Sequence, residues 1–193
     1  MRFQPIPGPA PASRRHAVTV IGSGRQDHPE SGSLGRALAE RGVDLVTGGG
    51  QGVMAGVARG FVETSEREGR AIGILPADPD QPGAAPPGYP NPWVEITIRT
   101  HLPGRGPDGS GAGSRNHLVV LSGRVLIALP GGPGTRSELD LADLYRRPVL
   151  LLGWSEGEPG RSSSTSAGPV YDRRRFDGTD SLLPELDRIL AVS

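Results

Sequence analysis

Apolar positions follow two rhythms along this chain. Short, nearly continuous apolar runs at residues 17–21, 43–47, 71–75, 125–129 and 149–152 have the length and composition of buried strands. Residues 94–98, Val94-Glu95-Ile96-Thr97-Ile98, alternate instead, as a strand with one wet face does. Between these runs the apolar residues recur at helical spacing. Leu34, Ala37 and Leu38 are closed by Gly42, and Val53, Met54, Val57, Ala58, Phe61 and Val62 run on to Gly69. A short helix is expected from Ser114 to Leu121. Leu139, Ala142 and Leu144 mark an amphipathic helix, and a closing helix is expected over 181–192, with Leu183, Leu186, Ile189 and Leu190 on one stripe.

Strands alternating with helices, and strands apolar on both sides, predict a parallel sheet covered on both faces. Right-handed crossovers then give an α/β, Rossmann-like, doubly wound parallel sheet in three layers. The expected domain is single and spans 14–193. Residues 1–13, with Pro5, Pro7, Pro9 and Pro11, read as a disordered arm. Residues 103–113 and 155–169, rich in Gly, Pro and Ser, read as flexible inserts.

Composition narrows the chemistry. The chain has 193 residues with 21 basic and 21 acidic side chains, too balanced for a nucleic-acid-coating protein. No apolar run is long enough to span a membrane, and the first residues lack a signal-peptide core. A cytoplasmic location is therefore expected. There is no cysteine, which excludes thiolate catalysis, zinc–thiolate sites and disulfides. There is also no lysine, since every basic residue is Arg. Pyridoxal-phosphate attachment and a P-loop lysine are excluded with it, and any phosphate must be held by backbone amides and guanidinium. His16, His28, His101 and His117 show no metal-ligand spacing, so no metal site is expected.

Three glycine clusters each follow a strand and precede a helix, which puts them along the carboxyl edge of the sheet, where such folds bind ligands. Pro130-Gly131-Gly132-Pro133-Gly134-Thr135-Arg136-Ser137-Glu138 is the strongest. Its glycines let amides approach an anion, and the following helix presents its positive end there. Thr135 and Glu138 also have the spacing of a capping box, so Glu138 is open to either a chemical or a capping role. Gly48-Gly49-Gly50-Gln51-Gly52-Val53-Met54 has more glycine than a tight turn requires. Gly22-Ser23-Gly24 reads equally as a ligand loop or a plain turn. Arg115-Asn116 opens a short helix, where an Arg can grip phosphate bidentately. Gly104-Arg105-Gly106-Pro107-Asp108-Gly109 matches G-x-G-x-x-G literally but follows no good strand and opens no helix, so it is not read as a dinucleotide fingerprint. Arg173-Arg174-Arg175 reads as a charge run on a solvated face.

Together, residues 48–54 and 130–138 resemble the paired motifs of the LONELY GUY (LOG) superfamily, once labelled lysine decarboxylases. The resemblance covers roughly residues 16–153. It implies a homodimer and a 5′-phosphate held by Gly131, Gly132, Gly134 and Thr135. Its hydrolases cleave the N-glycosidic bond of cytokinin nucleoside 5′-monophosphates, which would make Glu138 and Arg115 catalytic. Those enzymes carry Arg-Lys where this chain has Arg115-Asn116, and often Glu where it has Ser137. Residues 114–118, 89–93 and 99–102 resemble the molybdenum cofactor carrier-like branch more closely. The expected function is therefore carrier-like binding of a phosphate-bearing small molecule, a nucleotide or molybdenum-cofactor type ligand, with no other cofactor required. Phosphoribohydrolase activity is the alternative. The expected ligand set is Gly22, Ser23, residues 48–54, Arg115, Asn116, Pro130, Gly131, Gly132, Gly134, Thr135 and Glu138, with no nucleic-acid or membrane partner.

Overall fold

The apolar runs pair side by side, because a strand buried on both faces can satisfy its backbone only against other strands. The computed structural model describes residues 15–81, 83–155 and 173–192. The expected arm, 1–13, and nearly all of the expected insert 155–169 lie outside the described residues. The strands are β1 (Ala17–Ile21), β2 (Asp44–Thr47), β3 (Ala71–Leu75), β4 (Ile96–Arg99), β5 (Val125–Ala128), β6 (Val149–Leu152) and β7 (Arg173–Phe176). They form one parallel sheet in the order β4-β3-β2-β1-β5-β6-β7. The helices are α1 (Ser31–Glu40), α2 (Val53–Val62), α3 (Asn116–Ser122), α4 (Pro133–Leu144) and α5 (Thr179–Ala191).

Alternate strand residues feed two cores. Val18, Val20, Ile127, Leu150 and Leu152 pack under α1, α2 and α5, against Leu34, Leu38, Val57, Phe61, Leu182 and Leu186. Ile21, Leu126, Ala128, Val149 and Leu151 pack under α3 and α4, against Val119, Val120, Leu139 and Ala142. The result is the expected three-layer, Rossmann-like α/β domain. α1 and α2 approach backbone to backbone: a Cβ at Gly60 would strike the main chain of Gly32.

The Arg173–Arg175 run is exposed at Arg174 and Arg175, as expected, and covered at Arg173. It is strand β7, hydrogen-bonded to β6 at the sheet edge. Arg173 is deeply covered, pairs with Asp143 and donates to Leu139 O at 3.1 Å. Arg174 pairs with Glu185. Long Arg stems can cover a sheet edge while their heads find carboxylates. Residues 103–113 hold a 3-10 turn at Gly106–Asp108 and a bridge between Gly104 and Ser114.

Candidate functional site

The sheet order reverses between β1 and β5, each growing outward on its own side, and this is the switch point at which doubly wound folds open a crevice. The turn after β1 closes the floor of that crevice. Ser23 N donates to Pro130 O at 3.1 Å, and Ser23 O accepts from Val53 N at 2.9 Å. The Ser23 hydroxyl oxygen accepts from the amides of Arg25 and Gln26. Ser23 thus ties the turns after β1, β2 and β5 into one rim. All three glycine clusters meet there.

Their glycines serve different ends. Gly52 has φ 62°, and a Cβ would press on Ser23 O, Gln26 O at 2.7 Å and Arg25 N at 2.9 Å. A Cβ at Gly22 would press on Val53, and one at Gly49 on Leu75. One at Gly48 would occupy the place of the Arg115 guanidinium. A Cβ at Gly50 would meet Met54 Cε and Tyr89. Val53 and Met54 are buried where α2 begins, whereas Gln51 is exposed and donates from Nε2 to Gly88 O at 2.9 Å.

The turn after β5 is different. A Cβ at Gly132 would meet nothing within 4 Å, and at Gly134 only Gly106, at 3.4 Å or more. α4 starts from Gly132 with Pro133 in its first turn and no side-chain cap. Among the described residues, the amides of Gly131, Gly132, Gly134 and Thr135 donate to no acceptor. This is an uncapped, electropositive helix start. The capping-box alternative for Thr135 and Glu138 is not what forms: the cap residue is Gly132, and Thr135 lies within the helix, its hydroxyl against Gly131.

Beneath this rim lie Arg115 and Glu138, close enough for the guanidinium to act electrostatically on the carboxyl. Arg115 is 4% exposed, and among the described residues its Nε and Nη1 have no hydrogen-bond partner. Glu138 is 8% exposed, and burial pushes its carboxyl up to about 7, against the pull of Arg115 in the opposite direction. Asn116, also buried, donates from Nδ2 to Ser137 Oγ at 3.3 Å. Ser137 Oγ in turn reaches Gly134 O at 2.7 Å and Gly106 O at 3.3 Å. Arg115 and Asn116 are therefore held at the start of α3, against α4 and the 103–113 segment.

Sequence reasoning missed three residues at this rim. Asn91 is buried and pins the Gly-rich turn, donating its amide to Gly49 O and Nδ2 to Gly50 O, both at 2.8 Å. Tyr89 lies over Gly50, and Arg105 over the Tyr89 ring. Residues 89–93 entered the sequence reading only through the family resemblance, and nothing in their spacing signalled a site.

Known proteins share this architecture. The structure is similar to the molybdenum cofactor carrier protein of Chlamydomonas reinhardtii, with 28% identity and a TM-score of 0.70, over 92% of this chain and 99% of that one. It is similar to the molybdenum cofactor binding protein of Rippkaea orientalis, with 25% identity and a TM-score of 0.65, over 93% of this chain and 100% of that one. In sequence, a protein of Archaeoglobus fulgidus is 30% identical over 128 residues, which is 65% of this chain and 72% of the relative. The profile of the SLOG cluster4 family matches residues 15–175, a span that contains the whole crevice, and the chain belongs to that family.

Proposed function

We propose that this protein binds a phosphate-bearing small molecule at the carboxyl edge of its sheet and carries it without turnover. The ligand is a nucleotide or a molybdenum-cofactor type molecule, and it is cargo rather than a resident cofactor. The observation that carries this reading is Arg115. A buried guanidinium with two nitrogens unpartnered among the described residues is costly, and an anion relieves the cost. The open amides of residues 131–135 supply the rest of an oxyanion seat. Two of the similar structures bear the names of molybdenum cofactor proteins, which favours the carrier over the enzyme. Ser137, hydrogen-bonded to Gly106 and Gly134, stands where a second acid would help a hydrolase.

Incubation with molybdenum cofactor followed by gel filtration tests the carrier. Co-elution above a control protein is expected, and it should vanish in Arg115→Gln. Equal retention by wild type and control would refute the reading.

One observation favours a hydrolase instead. A carboxyl near pH 7 is suited to proton transfer at a glycosidic bond, and Glu138 is such a group. Release of free base from AMP, lost in Glu138→Gln, would establish that alternative. The same proposal includes a homodimer, with exposed Ile96 and Ile98 of β4 and Leu118 and Leu121 of α3 as its apolar contact, and a cytoplasmic location. Among the described residues no helix is long and apolar enough to cross a membrane. Sedimentation of wild type against Ile98→Glu reads the assembly directly.

A further inference from the structure

The crevice has a mouth as well as a floor. One side of the mouth is the loop carrying Gly88, Tyr89 and Asn91. It is anchored to the Gly-rich turn by the two Asn91 hydrogen bonds and by Gln51 Nε2 on Gly88 O. The anchoring sets Tyr89 over that turn: a Cβ at Gly50 would lie 3.3 Å from both Cε1 and the hydroxyl oxygen of the ring. Tyr89 itself remains half-exposed.

The other side is the 103–113 segment. It is tied down by Ser114 Oγ on Gly104 O at 3.0 Å and by Ser137 Oγ on Gly106 O at 3.3 Å. Gly106 Cα lies 3.4 Å from where a Cβ on Gly134 would stand, so this segment borders the uncapped start of α4. Arg105 stands between Gly104 and Gly106. It is exposed, and its Cζ lies 5.7 Å from the centroid of the Tyr89 ring. The two sides of the mouth therefore meet through a guanidinium laid on an aromatic face.

We infer that Tyr89 and Arg105 form a stacking clamp for a planar heterobicyclic ring, a purine or a pterin, at the mouth of the crevice. Both groups are flat, and both stack well on heteroaromatic faces, the phenol through its π-surface and the guanidinium as a weakly hydrated planar cation. A half-exposed tyrosine face capped by an exposed side chain is one that a ring can enter. Arg105 sits on extended backbone (φ −160°) beside Gly106 at φ 60°, and a glycine next to the clamp lets that side yield as a ring comes in. The position of the ring relative to the phosphate rests on the oxyanion seat proposed above. The clamp itself does not.

Three probes separate the two ideas: ribose 5-phosphate (phosphate without ring), a phosphate-free pterin (ring without phosphate) and GMP (both). Each is titrated calorimetrically into wild type, Tyr89→Leu, Tyr89→Phe and Arg105→Gln. Tyr89→Leu should weaken pterin and GMP about tenfold, a typical loss for one stacking partner, and leave ribose 5-phosphate unchanged. Tyr89→Phe should restore the ring probes. Arg105→Gln, at an exposed position, should weaken the same two probes by a smaller factor. Guanosine, a purine without phosphate, titrated beside the phosphate-free pterin tells a purine ligand from a pterin one. Equal losses for all three probes in Tyr89→Leu would overturn the clamp, as would failure of both ring probes to bind wild type. Pterin binding that depends on Tyr89, with ribose 5-phosphate inert, would uphold the clamp and overturn the phosphate seat.

Discussion

The two longest glycine clusters look alike in the sequence and differ in how much open space they face. Along residues 48–52 every glycine is crowded: Gly48 by Arg115, Gly49 by Leu75, Gly50 by Met54 and Tyr89, Gly52 by the main chain of residues 23–26. After β5, Gly132 faces nothing within 4 Å, and the amides around it have no acceptor among the described residues. The first cluster is glycine because protein must come close. The second is crowded at Gly131, by Thr135 and Ser23 N, but open at Gly132 and Gly134, at a helix start with its donors bare. Glycine density therefore locates a rim but does not say which side of it a ligand uses. The uncompensated groups say that, namely bare amides and the buried guanidinium of Arg115.

Gly52→Ala should have the largest effect. The position has φ 62°, and its Cβ would meet backbone rather than a pliable side chain. A loss of roughly 3 kcal/mol is expected, lowering Tm by about 6–12 °C in a domain of this size. A Tm within about 2 °C of wild type would break the view of this turn as packing.

Glu138→Gln comes next, and its sign depends on pH. The folded chain holds the Glu138 proton to higher pH than the unfolded chain, where the ordinary value of 4.5 applies. The stability linked to that proton is complete below about pH 4.5 and is lost as pH rises through about 7. Full loss amounts to roughly 3 kcal/mol at 1.36 kcal/mol per unit. Glu138→Gln should therefore match wild type near pH 4.5 and exceed its Tm at about pH 8. Identical melting curves at both pH values would show that Arg115 or water fully compensates the carboxylate.

Gly132→Val should have the smallest effect on the fold and a selective one on binding. Its φ is negative (φ −93°, ψ −153°), so no left-handed strain opposes a side chain there. Stability should change by less than about 1 kcal/mol, the scale of a helix-cap substitution. Affinity for a phosphate-bearing ligand should fall about tenfold or more as the side chain blocks approach to the amides. Unchanged affinity by calorimetry would mean that the ligand sits elsewhere.

The strands that are apolar on both sides were legible because burial on two faces leaves a compositional mark that no partner residue can alter. That is why β1, β3, β5 and β6 fall within a residue of where periodicity puts them. β7 was not legible: Arg173, Arg174 and Arg175 become a strand only because the edge of β6 offers hydrogen bonds and Asp143 and Glu185 offer counter-charges. The clamp residues were invisible for the same reason. Tyr89 and Arg105 are far apart along the chain, each in a Gly/Pro-rich segment with no period, and their meeting depends on where two loops are anchored.

By itself the sequence determined the fold class, the absence of thiol and lysine chemistry, and the gathering of strand-to-helix turns at one edge. Each of these follows from local composition and from the handedness of the chain. Only the tertiary structure decided which glycines are crowded and which are open, that Arg115 is buried with Nε and Nη1 unpartnered among the described residues, and that Glu138 holds its proton toward pH 7. Those are properties of distance and dielectric between residues remote in the chain, which local composition and spacing do not encode.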